Sequence, residues 1–239
     1  MAMFGTSGTA TNSNPWCLMV HITSNRSHDQ EATLQKFIGE AIWYSKVAVE
    51  TSVAISKLAT QVKSPTVDTI DFYHFLQGYF KRWGNHTITY SKSKMVLHAF
   101  SDASFDGETK SRSRGGCVLF LGNEEPNIIN GPIAVITNIL PGVPKSAAEA
   151  EIEQHFETGD YTNQSRNILE AIGYKQHTNI ILADNMCSID YANDQTKGKR
   201  LKIKHQVEQN IHVYQYVTSD NNLADLPTKL FPRQRHECY

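Results

Sequence analysis

From Glu31 to about Trp83 apolar residues recur at helical spacing. Leu34, Phe37, Ile38, Ala41 and Ile42 form one run, Val49, Val53, Ile55, Leu58 and Val62 a second, and Phe72, Phe75, Leu76, Tyr79 and Phe80 a third. The spacing predicts three helices. Pro65 disfavours helical geometry at Ser64, Ser64 or Thr66 can cap the next helix, and Gly84 with Asn85 stops the third. Trp43, Trp83 and the Phe and Tyr residues of this segment are expected in its core rather than as base-stacking platforms.

The period then shortens to two. Thr87 to Tyr90 alternate, Met95, Leu97 and Ala99 alternate toward Phe100, GCVLFLG from Gly116 is an apolar run bracketed by glycines, and Ile133, Val135 and Ile136 form another. These read as a meander of short strands. SAAEAEIEQHFE from Ser146 is a helix former with a capping-box start, NIILAD from Asn179 a buried-type strand, NMCSIDYAN a helix, HVYQYV from His212 a strand, and NNLADLPTKL a short final helix. The order β-β-β-α-β-α-β-α predicts a mixed α/β domain over 94–232, behind a helical segment over 31–93. Residues 1–30, rich in Gly, Ser, Thr and Asn near their start, and 233–239 are expected to be tails.

Composition narrows the function classes. Across 239 residues, 23 Lys and Arg oppose 24 Asp and Glu, a net charge of −1, so any polyanion must be held by a local patch. Cys17, Cys117, Cys187 and Cys238 contain no CxxC pair, which argues against a structural zinc site and a disulfide framework. No apolar run approaches the roughly 18 residues of a membrane span. The expectation is an intracellular protein, cytoplasmic or nuclear, with no membrane partner.

Candidate chemistry lies in acids placed at strand ends and helix starts. Asp102 is expected to close the first strand, Asp184 closes NIILAD, Asp225 sits in the last helix, and Glu149, Glu151 and Glu153 offer a carboxylate early in the long helix. Singly each is an ordinary turn or surface residue. Together, at one edge of a sheet, four carboxylates suit a centre in which two hard cations stand roughly 3.5 to 4 Å apart.

SDASFDGETKSRSRGGCVLFLG, SAAEAEIEQ, LADNMCSIDYAND and YVTSDNNLADLPTKLFP resemble, in order and spacing, the ribonuclease H domain of the polymerase polyprotein of copia-type LTR retrotransposons. Upstream, LQKFIGEAIWYSKVAVETSVAISKLATQVKSPT and FYHFLQGYFKRW are similar to the connection segment that follows the reverse transcriptase in that family. The resemblance implies an RNase H-like mixed sheet flanked by helices and preceded by a small helical segment. It also implies hydrolysis of the RNA strand of RNA·DNA hybrids by two Mg2+ ions, with Mn2+ as an alternative. Asp102, Asp184 and Asp225 match three of the family's metal-binding acids, and the second Glu of its Glu-Ala-Glu run selects Glu151 as the catalytic and metal-binding fourth. The implied partners are a hybrid duplex and the reverse transcriptase portion of the same polyprotein, and the implied setting includes a virus-like particle.

Two departures stand against this. No Tyr-x-Asp-Asp turn is present, so polymerase chemistry is excluded for this chain. The stretch 198–211 is shorter than the family's, and Gly159 falls inside a helix at about 1 kcal/mol relative to Ala, which points to a divergent copy. The alternative is a catalytically decayed nucleic-acid-binding remnant. Lys197, Lys199, Arg200, Lys202 and Lys204 are the first candidate phosphate-binding cluster, and Lys110, Arg112 and Arg114 the second.

Overall fold

The computed structural model describes residues 27–85, 87–108, 110–126, 130–193, 207 and 209–230. Three helices come first: α1 (Ser27–Tyr44), which begins inside the stretch expected to be a tail, α2 (Ser52–Gln61), entered through a 3-10 turn at Val49–Thr51, and α3 (Val67–Trp83). Thr66 caps α3, its hydroxyl accepting from the Thr69 amide while the Thr69 hydroxyl accepts from the Thr66 amide. Leu34, Phe37 and Ala41 of α1, Ile55 and Leu58 of α2, and Tyr73, Leu76 and Phe80 of α3 close one apolar cluster.

The periodicity assigned too many aromatics to that cluster. Trp43 is 79% exposed and Phe75 67%, and Ile42 and Trp83 are also on the surface. The inward stripe of α3 runs through Thr69, Tyr73, Leu76 and Phe80, so Phe75 falls on the opposite flank, where it stacks on Phe72 instead.

Five strands make one sheet in the order β3-β2-β1-β4-β5: β1 (Val96–Glu108), β2 (Arg112–Gly122), β3 (Pro132–Ile139), β4 (Asn179–Ala183) and β5 (His212–Tyr216). The first three pair antiparallel, and β4 and β5 run parallel to β1. α4 (Ala147–Ala171) and α5 (Met186–Asn193) complete the expected α/β architecture, a mixed sheet flanked by helices. Leu97, Ala99, Leu119 and Ile181 face Leu169 of α4 and Ile189 of α5. On the other face Phe100, Val118, Phe120 and Leu182 meet Ala224 and Leu226 of the C-terminal turns and Val49 of the helical segment. Cover on both sides explains why the central strands read as nearly continuous apolar runs.

Three sequence expectations are corrected. Thr87 to Tyr90 form no strand; that chain is tied by side chains, Tyr90 donating to the Pro132 carbonyl and Asn130 bonding both backbone groups of Ser91. β1 runs past Asp102 rather than ending there, because β2 continues to pair with it through Ser104. The final helix is two 3-10 turns, Ser219–Asn221 and Leu223–Asp225, separated by extended backbone at Asn222. Gly159 lies buried in α4 without interrupting it.

Candidate active site

Strand register brings the first two acids together. β1 and β4 pair in parallel at Phe100 and Leu182, so Asp102 and Asp184, each two residues further on, stand at the notch where β4 has ended and β1 continues. Such a crevice at the carboxyl ends of parallel strands is where open α/β sheets bind ligands. Glu151 comes from the second turn of α4, whose start is fixed by Ser146: its hydroxyl accepts from the Glu149 amide at 3.2 Å. Carboxylate oxygens of Asp102, Glu151 and Asp184 all lie within 4.8 Å of one another.

The neighbouring glutamates do other work. Glu149 accepts from the Lys145 amide at 2.8 Å and Glu153 from the Gly142 amide at 3.0 Å, so both brace the loop into α4. Glu151 is the one turned into the cluster.

Asp225 is buried but stands outside the three-acid group, engaged by Lys229 at 2.5 Å. The same ammonium lies 3.4 Å from Asp102, and the Thr228 hydroxyl donates to Asp102. Asn222 anchors this turn beside the site, its amide donating to the Ser101 carbonyl and its side-chain oxygen accepting from Ala224. Lys229 and Thr228 are the site residues that sequence reasoning missed. Both were in view in NNLADLPTK, and the spacing of four from Asp225 to Lys229 was the available signal.

Gly115 and Gly116 permit this convergence. A Cβ on Gly115 would sit 1.7 Å from Oε1 of Gln154 in α4, and one on Gly116 2.6 Å from the Thr228 side chain. They pair with Ala103 and Asp102, so the absent side chains let the long helix approach one face and the C-terminal turn the other, beside the acids.

Burial pushes the Glu151 carboxyl well above its usual range, with Asp102 and Asp184 adding to the rise. Burial also raises Asp102, against the pull of Lys229 and Thr228. For Lys229, desolvation is outweighed by the surrounding carboxylates, and its ammonium is held more tightly protonated.

Among the described residues, Oε2 of Glu151 is buried with no hydrogen-bond partner. An orphan carboxylate oxygen aimed among hard oxygen donors suits a divalent cation of the Mg2+ or Mn2+ kind, and a buried group of this sort otherwise costs free energy.

The basic candidates separate. Lys197, Lys199, Arg200, Lys202 and Lys204 fall outside the described residues. Arg112 opens β2 opposite Glu108, half-buried. Arg114 corrects the sequence reading: it is 1% exposed, ion-paired with Glu108 at 2.7 Å and bonded to Ser56 and Thr137. Its guanidinium pins the helical segment to the sheet and is closed to a phosphate. The sequence offers Arg114 as a free cation because two of its partners, Ser56 and Thr137, lie far away in sequence.

No family model matches the sequence, and no curated protein does. Among solved structures, ribonuclease H1 LC11 isolated from compost by a metagenomic approach is similar at 11% identity over 56% of this chain and 93% of its own, with a TM-score of 0.40. Its complex with an RNA/DNA hybrid aligns at 14% identity, 55% and 93% coverage and a TM-score of 0.38. A foamy viral protease-reverse transcriptase in complex with double-stranded DNA aligns at 12% identity over 77% of this chain and 38% of its own, with a TM-score of 0.32.

Proposed function

We propose that this chain is a metal-dependent ribonuclease H that hydrolyses the RNA strand of RNA·DNA hybrids, of the kind carried by copia-type retrotransposon polyproteins. One observation carries the reading: Asp102, Glu151 and Asp184 converge from β1, α4 and the end of β4 within 4.8 Å, with one Glu151 oxygen unpartnered. Asp102, Glu151 and Asp184 would hold one divalent ion, and Asp102 with Asp225 a second. Bound there, such ions supply a lowered pKa for the attacking water and stabilise the departing oxygen.

The protein's own groups do the rest. Carboxylates fixed in the notch offer oxygens without rearrangement, because Asp102 and Glu151 sit on a packed strand and helix and Asp184 directly follows β4. Lys229 balances the charge of Asp102 and Asp225 until a cation displaces it or a phosphate draws it away. The hybrid would lie over the notch, gripped by the Lys197 to Lys204 cluster, with the reverse transcriptase portion of the same polyprotein as its neighbour.

The shortened stretch 198–211 favours the second reading, a binding remnant without catalysis. A labelled hybrid, a single-stranded RNA and a duplex DNA incubated with the purified chain and Mg2+ or Mn2+ decide between them. Cleavage of RNA in the hybrid alone supports the nuclease. Hybrid binding without cleavage in either metal supports the remnant.

A further inference from the structure

Beneath the three-acid group runs a chain of buried polar side chains that the chemistry above does not use. Gln154 donates to Thr158 at 3.0 Å, Thr158 to Ser101 at 3.0 Å, and the Ser101 hydroxyl meets Nδ1 of His155 at 3.0 Å. Nε2 of His155 meets the Ser188 hydroxyl at 3.0 Å, and Ser188 donates to the Asn185 carbonyl at 2.8 Å. The directions agree throughout. Thr158 donates into Ser101, so the Ser101 proton goes to Nδ1. Ser188 spends its proton on Asn185, so Nε2 must carry the hydrogen of a neutral ring. Each hydroxyl donates once, with no conflict along the line.

The anchor points are what give this line its meaning. Ser101 precedes Asp102, His155 lies one helical turn beyond Glu151, and the Ser188 bond ends on Asn185, next to Asp184. His155 therefore links β1 and α4, which carry Asp102 and Glu151, to the start of α5, directly after Asp184. Its own carbonyl accepts from the Tyr214 hydroxyl at 3.0 Å, and the two rings pack 4.9 Å apart. Gln154, Ser101, His155, Thr158 and Ser188 have no exposed surface.

An apolar side chain would fill this place with no polar atoms to desolvate, so packing alone does not call for a histidine. What the ring adds is direction, because two hydrogen bonds at fixed angles set the relative positions of three elements as apolar contacts do not. We infer that His155 is a positioning residue, holding Asp102, Glu151 and Asp184 at the separations that bind a divalent ion. The inference rests on the metal-centre reading but not on catalysis.

The test is Mn2+ affinity, measured by titration calorimetry on the full chain without nucleic acid, beside the thermal midpoint in chelator. His155→Phe keeps a ring and removes both bonds. It is expected to weaken Mn2+ binding about tenfold or more at a temperature where the variant is fully folded, the scale on which outer-shell partners act. His155→Gln, which returns an amide near Nε2, should recover part of that loss.

A folded His155→Phe protein binding Mn2+ within twofold of wild type overturns the inference and leaves the ring a core residue only. If His155→Phe does not fold, Ser101→Ala and Ser188→Ala take its place. Each should weaken Mn2+ binding severalfold, and the double variant should fall short of the sum of the two losses, because both bonds act through one ring. Unchanged affinity in both single variants overturns the inference as well. A wild type that binds no Mn2+ sinks the metal centre and the positioning role together. Mn2+ binding that His155→Phe weakens, in a protein that cleaves no hybrid, retires the nuclease and keeps the positioning role.

Discussion

Asp102 stands between two differently treated halves of one acid cluster. Toward Glu151 and Asp184 the carboxylates face one another, and one Glu151 oxygen has no partner. Toward Asp225 the charge is matched by Lys229, which contacts both aspartates, and Thr228 satisfies Asp102. The first half sets carboxylate against carboxylate, whereas the second carries its own cation. The two halves should therefore respond oppositely when charge is removed, when protons are supplied and when metal is added.

The largest effect belongs to the uncompensated half. Asp184→Asn keeps shape, removes one of the three clustered carboxylates and lessens repulsion, so on the nuclease reading it should lower hybrid cleavage about 10³-fold, some 4 kcal/mol of transition-state stabilisation. In chelator the same variant should melt above wild type, since like charges held together disfavour the folded state. Asp102→Asn should lose cleavage too but gain no stability, because it also deprives Lys229 and Thr228 of their partner. Equal melting behaviour of the two variants would erase the distinction between the halves.

Protons supply the next contrast. Glu151 and Asp102 have folded pKa values above their unfolded ones, so the native state binds the extra proton and stability in chelator falls as pH rises through that interval. His155 and His212 act the other way. Burial pushes both rings down to about 4 from 6.5, so their contribution is intact above pH 6.5 and is lost as pH falls toward 4, by up to about 3 kcal/mol for each ring. Between pH 6.5 and about 8 the acids' slope dominates, below the range in which the buried Cys117 thiol and the buried tyrosines add losses of the same sign. Thermal midpoints in chelator should decline across that interval, and excess Mn2+ should flatten the decline. A decline of the same steepness with Mn2+ would mean that the ion does not contact these carboxylates.

Lys229→Gln probes the compensated half. Removing one partner of a fully buried pair costs about 3 to 5 kcal/mol. The Lys229 side chain is 38% exposed, so solvent screens it and the expected loss in chelator is nearer 1 to 2 kcal/mol. In excess Mn2+ the loss should shrink, because a cation now stands by Asp102 and Asp225. Denaturant titrations with and without metal check this. An equal loss in both would place Lys229 outside the competition for these acids.

How much of this was legible in the chain depended on the distance over which each cause acts. The strand carrying Asp184 and the helix carrying Glu151 follow from local patterns: an apolar run ending in Asp, and a Ser cap placed ahead of a helix former. The α/β order followed for the same reason. Lys229 stood in plain sight, but its role exists only because the C-terminal turns dock beside β1 through Asn222. Arg114 reads as a surface cation because, beside Glu108 on the neighbouring strand, the groups that bury it are Ser56 of the helical segment and Thr137 of β3, both distant in sequence. Periodicity also scores Ser101, His155, Thr158 and Ser188 as surface, whereas long-range pairing makes them a polar line inside the core. The exposed Trp43 shows the converse error, an apolar residue at a plausible helical spacing that no described element covers.

The smallest effect separates two carboxylates on one helix. Glu149 and Glu151 lie two residues apart, about 200° around a helix, so they cannot serve the same site. Glu149 points back to the Lys145 amide while the Ser146 hydroxyl holds the Glu149 amide. Glu149→Gln keeps an oxygen that can accept the first bond and leaves the second untouched, losing only the charge near a helix start. Stability should fall by about 0.3 to 1 kcal/mol, with Mn2+ affinity and any hybrid cleavage within twofold of wild type. Glu151→Gln removes a charge that burial, Asp102 and Asp184 all oppose, so in chelator it should stabilise the fold while weakening Mn2+ binding sharply. The two variants differ by one position of the same chemistry, and their opposite signs in stability are the signature of a cap on one side and a metal ligand on the other. Loss of Mn2+ binding in Glu149→Gln with retention in Glu151→Gln would exchange their roles and dismantle the three-acid site.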